Sequence, residues 1–137
     1  MGEEVWDPLR RKNVALTPEE GVRQWFIGLM ESQMGIPRTK MMSEASLKFG
    51  DGPVQKNFRA DIVAFDRSGS PLLVVECKAP GVELSRDVLE QVLCYNMVLG
   101  APYIAITNGN FSYIAHWEGD GFVFLEDAPD YETMMKG

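Results

Sequence analysis

Histidine and cysteine are nearly missing from this sequence, which holds one His (His116) and two Cys (Cys77 and Cys94). So few thiols and imidazoles exclude a disulfide scaffold and a zinc site, both of which need more ligands at closer spacing. Unpaired thiols suit a reducing cytoplasm, where the protein is expected. Long apolar runs are missing too: the longest span a handful of residues, far short of the roughly 20 that cross a bilayer, so no membrane partner is expected. The N-terminus is acidic and polar and has no signal-peptide pattern. No GxxxxGK[ST] phosphate loop occurs, so the chain carries no nucleotide-driven motor. What is present, 45% apolar residues over 137 positions, is enough for one globular domain around one core. The expected core covers about 15–125, with acidic, loose ends at 1–14 and 126–137.

Positive charge is also scarce. The formal net charge is −7, which argues against a polyanionic partner, because phosphate contacts need Lys and Arg. The distribution weakens that objection. Three acids fall in residues 1–7 and six in 118–137, whereas residues 8–117 hold eleven acids and twelve bases. Residues 38–59 are locally basic through Arg38, Lys40, Lys48, Lys56 and Arg59, against Glu44 and Asp51. An ordinary solvated face would read the same way.

Local signals give the order of elements. Thr17-Pro18-Glu19-Glu20 starts a helix, with Thr as cap and Pro at the first helical position. Val22, Phe26, Leu29 and Met30 make its apolar stripe, and Gly35 and Pro37 stop it. Strands are expected at about 42–49 and 57–65, joined by a turn at Gly50-Asp51-Gly52-Pro53. Asp66 to Ser70 turns into a third strand at 72–78. A helix over about 84–99 leads to a buried strand, Tyr103 to Thr107, parallel to the third because a helical crossover connects them. Strands at 111–117 and 122–125 follow. The expected fold is α/β, helix–three strands–helix–strand, with a mixed central sheet flanked by helices and an added C-terminal hairpin.

The chemistry concentrates on two adjacent strands, in RADIVAF and PLLVVECKAP. Leu72, Val74, Glu76 and Lys78 alternate on one face of the third strand, and Leu73, Val75 and Cys77 on the other. Both faces are apolar as far as Glu76, the pattern of a strand covered on both sides. An acid and a lysine at the end of such a strand are costly to bury uncompensated. A divalent metal with a phosphate would compensate them. Asp61 and Glu76 offer two carboxylates, and the backbone carbonyl of Cys77 a third oxygen, the ligand type Mg²⁺ or Mn²⁺ prefers. Lys78 can hold a water or a phosphate as a point charge. Gln91 and Tyr95 share one face of the following helix; as a pair alone they would also suit a surface Gln and a half-buried Tyr. His116 and the thiol of Cys77 read as structural, and Trp6, Trp25 and Trp117 as core or edge aromatics.

Taken together, Asp61, Glu76-Cys77-Lys78 and Gln91-x-x-x-Tyr95 resemble the PD-(D/E)xK nuclease superfamily. The chain is most similar there to the N-terminal domain of type I restriction enzyme R subunits and to RecB-like nucleases with a QxxxY motif. Thr17 to Gln24 resembles the first helix of those domains, which directs a glutamate at the site. That implies Glu20 here, with Glu19 as the alternative. Thr107-Asn108-Gly109 resembles the turn after their next strand. Ala60 stands before Asp61 where the family name implies Pro. The resemblance covers about residues 15–125 and implies a restriction-endonuclease-like fold and Mg²⁺-dependent DNA hydrolysis, with Mn²⁺ as substitute. Asp61, Glu76 and the Cys77 carbonyl would bind metal; Lys78, Gln91, Tyr95 and Glu20 would complete the catalytic set. DNA is the expected partner, with a helicase motor or specificity subunit in trans. The alternative is a non-catalytic nucleic-acid-binding or assembly module on the same fold.

Overall fold

The computed structural model describes residues 2–49 and 56–137. The order is β1 (Glu4–Asp7), β2 (Lys12–Ala15), α1 (Pro18–Ser32), β3 (Met41–Phe49), β4 (Lys56–Phe65) and β5 (Pro71–Cys77). Then come α2 (Arg86–Leu99), β6 (Tyr103–Thr107), β7 (Ser112–Trp117), β8 (Phe122–Leu125) and α3 (Tyr131–Lys136). The turn expected at 50–53 lies outside the described residues.

Strands β3 to β8 form one sheet in sequential order. The β5–β6 pair is parallel and the others are antiparallel. A helical crossover between β5 and β6 imposes that one parallel pairing, as the sequence predicts. The expected α/β fold, a mixed sheet between helices with an added C-terminal hairpin, is therefore present.

Alternation along the strands splits the core in two. Leu73, Val75 and Cys77 of β5 pack with Val22, Phe26, Ile27 and Met30 of α1. Val74 of β5 and Ile104 and Ile106 of β6 pack with Val88, Val92 and Tyr95 of α2. Thr17 caps α1, its hydroxyl accepting from the Glu20 N–H at 3.0 Å, with Pro18 at the first helical position. A left-handed Gly100 (φ 68°) ends α2, where any side chain would be strained. The turn after β6 presses on α1: a Cβ on Gly109 (φ 88°) would meet Val22 Cγ2 at 3.3 Å.

Near the ends, Glu4–Asp7 and Lys12–Ala15 pair as the β1–β2 hairpin, and residues 126–137 include the helix α3. Asp130 caps α3 by accepting from the Thr133 N–H, and Tyr131 and Met134 are buried. Tyr131 also donates its hydroxyl to the Phe65 carbonyl at 2.8 Å, and its N–H to the Met34 carbonyl at 2.7 Å. These apolar anchors outweigh the acidic composition of the segment. Trp6, Trp25 and Trp117 are about half exposed, on the surface rather than in the core.

Candidate functional site

The last cross-strand pair between β4 and β5 is Ile62↔Val75. Asp61 and Glu76 stand opposite one another one residue further on, where the ladder stops. In place of a strand bond, Asp61 Oδ2 accepts the Cys77 N–H at 2.7 Å. Glu76 sits close enough to hydrogen-bond Asp61. Its Oε2 accepts the Tyr95 hydroxyl of α2 at 2.9 Å, and Lys78 Nζ lies 3.9 Å from its Oε1. Both acids are buried, at 7% and 5% exposure. Burial, then the hydrogen bond to Asp61 and the charge of Asp61, push the Glu76 carboxyl up to about 8, although Tyr95 and Lys78 pull it down. Burial beside a second carboxylate thus favours the protonated form of Glu76. Burial and the neighbouring Glu76 likewise push the Tyr95 hydroxyl upward, which keeps it a donor.

A second layer of charge lies on the α1 side. Glu20 accepts from Arg10 Nη2 at 2.6 Å, Arg23 Nη1 at 2.9 Å and Gln24 Nε2 at 3.1 Å. Arg23 Nη2 in turn lies 2.8 Å from Asp61 Oδ1 and 2.7 Å from Glu44 Oε1. Arg59 Nη1 holds the other oxygen of Glu44 at 2.9 Å. Arg10 arrives on the β1–β2 hairpin, anchored by an ion pair with the buried Asp7. Glu19 is half-buried; its carboxyl is pushed up by burial and by Asp61, against the pull of Lys78 and Arg23. These groups line a cleft of about 480 Å³ that includes Glu19, Glu20, Glu44, Asp61 and Glu76.

Asp61, Glu76, Lys78 and Tyr95 thus come together. Gln91, one turn before Tyr95, is exposed. Glu20 lies in the arginine layer, while Glu19 is the acid coupled to Asp61 and Lys78. Arg10 and Glu44 belong to the site and were not singled out by sequence. Arg10 sits in a basic triplet, Arg10-Arg11-Lys12, which was the available signal; Glu44 gave none. His116 stacks on Tyr103 at 4.3 Å, and Cys77 is fully buried with its thiol pushed well up, chiefly by burial, both away from any nucleophilic role.

Among the described residues, no group of three or more His, Cys, Asp or Glu side chains is arranged to hold a metal ion. A magnesium ion does not require one. It keeps several waters and takes one or two carboxylates besides substrate oxygens. The buried carboxyls of Asp61 and Glu76 are hard-oxygen donors at one end of the cleft, and they fit such an ion.

The fold and the family have independent support. No curated protein matches the chain. A solved structure, a fragment described as an HsdR subunit of a type I restriction enzyme from Vibrio vulnificus YJ016, superposes with a TM-score of 0.66 at 18% identity. The match covers 88% of this chain and 25% of that one, so this chain spans about a quarter of that protein's length. At that identity the likeness concerns the fold. The family model described as the type I restriction enzyme R protein N terminus matches residues 18–129, from the first residue of α1 to just before α3. The chain belongs to that family, the N-terminal domain of type I restriction enzyme R proteins.

Proposed function

We propose that this domain is a Mg²⁺-dependent endodeoxyribonuclease of the PD-(D/E)xK superfamily, in its QxxxY branch. The observation that carries the reading is the buried contact of Asp61 with Glu76 at the open end of β5, with Tyr95 and Lys78 on Glu76. Asp61, Glu76 and the Cys77 backbone carbonyl would hold the ion. When bound, it would activate water and neutralise charge growing on the phosphate.

The rest of the work belongs to this chain's own groups. Cys77 N–H and Arg23 fix the two oxygens of Asp61. The Tyr95 phenol orients Glu76. Lys78, tethered through its N–H to the Thr107 carbonyl at 2.8 Å, presents an ammonium for the attacking water or the scissile phosphate. Glu19 is favoured over Glu20 as the first-helix acid of the site, because it couples to Asp61 and Lys78. Gln91, exposed on the same helix as Tyr95, would contact the DNA backbone. DNA recognition and translocation are assigned to specificity and motor components outside these residues.

The test is nicking of supercoiled plasmid by this chain in Mg²⁺ or Mn²⁺, with a matched RNA alongside. Cutting that needs the metal and falls at least about 100-fold in Glu76→Gln and Lys78→Ala supports the proposal. Metal binding by a folded wild type that never cuts DNA would favour a non-catalytic nucleic-acid-binding or assembly module, a reading consistent with the net charge of −7.

A further inference from the structure

Arg23 is unusual among the charged groups of the cleft. Its side chain is only 5% exposed, yet it serves three carboxylates: Glu20 through Nη1, and Asp61 and Glu44 together through Nη2. Its Nε is buried with no hydrogen-bond partner among the described residues. An arginine placed only to stabilise the fold would be expected to satisfy its buried donors, because an orphan costs about 1–3 kcal/mol. Here the fork is turned so that a single nitrogen is shared between Asp61 and Glu44.

Glu44 carries a second cost. It sits in the middle of β3 with φ 57°, a left-handed conformation that is strained for a glutamate. The β3–β4 ladder is bridged on either side of it, at Ser43↔Ile62 and Ala45↔Ala60, and Glu44 itself is left out. The register on either side sets Glu44 opposite Asp61 on the neighbouring strand. Arg59 then pins one Glu44 oxygen at 2.9 Å, leaving Oε1 for Arg23. Two unfavourable local features, an orphan donor and a strained acid, converge on one guanidinium.

We propose that Arg23 is an internal counter-cation that neutralises Asp61 while no metal is bound and competes with the metal for it, and that Glu44 is the seat onto which the guanidinium withdraws. Arg23 is thereby a positioning residue that sets the metal affinity of the site. The inference rests on the metal-dependent reading above. Physically, three buried acids, Glu20, Asp61 and Glu76, with the half-buried Glu44 beside them, cannot stand without positive charge. A second cation brought to Asp61 repels the guanidinium strongly at these distances. Glu44 and Glu20 are the groups that retain Arg23 when Asp61 Oδ1 is released. The arrangement keeps the empty site assembled and limits metal occupancy.

The experiment is calorimetric and thermal-shift titration of the whole chain with Mn²⁺, for wild type, Asp61→Asn, Arg23→Gln, Glu44→Gln and the Arg23→Gln/Glu44→Gln double variant. Arg23→Gln should bind Mn²⁺ at least about tenfold more tightly, melt lower without metal and gain more on adding it. Glu44→Gln should bind more weakly, by about threefold or more, because Arg23 is then left on Asp61. In the Arg23→Gln background the Glu44 effect should largely vanish, which a direct ligand role for Glu44 would not produce. Should Arg23→Gln not fold, the weakening in Glu44→Gln carries the test, and unchanged or tighter binding there overturns the proposal. Equal or weaker binding by folded Arg23→Gln, with wild-type binding lost in Asp61→Asn, also overturns it. Absence of heat and thermal shift in both wild type and Arg23→Gln overturns the metal reading itself.

Discussion

A carboxyl group buried beside another carboxylate holds its proton longer than it would in the unfolded chain, even with a phenol donating to it. Glu76 has an ordinary value of 4.5 and is pushed up to about 8 in the folded protein. Between those two values the native state binds more protons than the unfolded state. Stability therefore falls as pH rises through that window, by up to about 1.4 kcal/mol per pH unit for one group. Glu19, also raised, adds to the same trend. In the absence of metal, Glu76→Gln should flatten the slope and be more stable than wild type at pH 8. Urea unfolding in a chelator at pH 5, 6.5 and 8 measures this. A slope unchanged in Glu76→Gln would show that the protonated partner of Asp61 is some other group.

At the scale of elements, the terminal pieces hold on through few contacts, which makes them testable singly. α3 is one short helix, yet Tyr131 is 4% exposed and bonds both the end of β4 and the residues after α1. Tyr131→Phe should cost about 1 kcal/mol through the lost hydroxyl. Tyr131→Ala should cost about 3 kcal/mol or more through the cavity as well, with the pH slope assigned to Glu76 unchanged. Equilibrium unfolding of both variants checks the order and the spacing; equal losses would mean that the ring packs against nothing firm. The same elements mark where sequence is informative. Strands β5 and β6 were legible because their apolar runs end in polar residues at a definite place, and α2 because Val88, Val92 and Tyr95 keep the helical period. Asp61 beside Glu76 follows from those elements; Tyr95 at Glu76 follows only from the family resemblance, since its helix face alone also suits a half-buried Tyr. The β1–β2 hairpin was not legible, since four-residue strands such as Glu4–Asp7 and Lys12–Ala15 show too little alternation to register. α3 is masked in the sequence by the acids and proline around it, although Asp130 and Thr133 stand at cap spacing. The kink at Glu44 has no local signature, as glutamate has no preference for the left-handed region; only tertiary placement beside Arg23 reveals it.

For the molecule as a whole, the balance of charge decides how a polyanion can approach. The net charge is −7, and five acids line the candidate cleft. The basic stretch at 38–59 offers less than its count suggests, because Arg38 is paired with Glu31 and Arg59 with Glu44. Phosphate contacts supply most non-specific DNA affinity, so the bare domain has little to offer a duplex. A divalent ion on Asp61 and Glu76 would reverse the sign where the phosphate must sit. In a chelator at about 150 mM salt, fluorescence anisotropy should therefore show no saturable binding of a short duplex below about 10 μM protein. Millimolar Ca²⁺, a hard-oxygen ion used here to support binding without cutting, should bring saturation into range for wild type and leave Asp61→Asn unchanged. Tight binding in the chelator, indifferent to Ca²⁺, would instead place the DNA on a surface remote from the acids. The charge argument and the nuclease reading would then have to be separated, because the cleft would no longer be where the backbone is held.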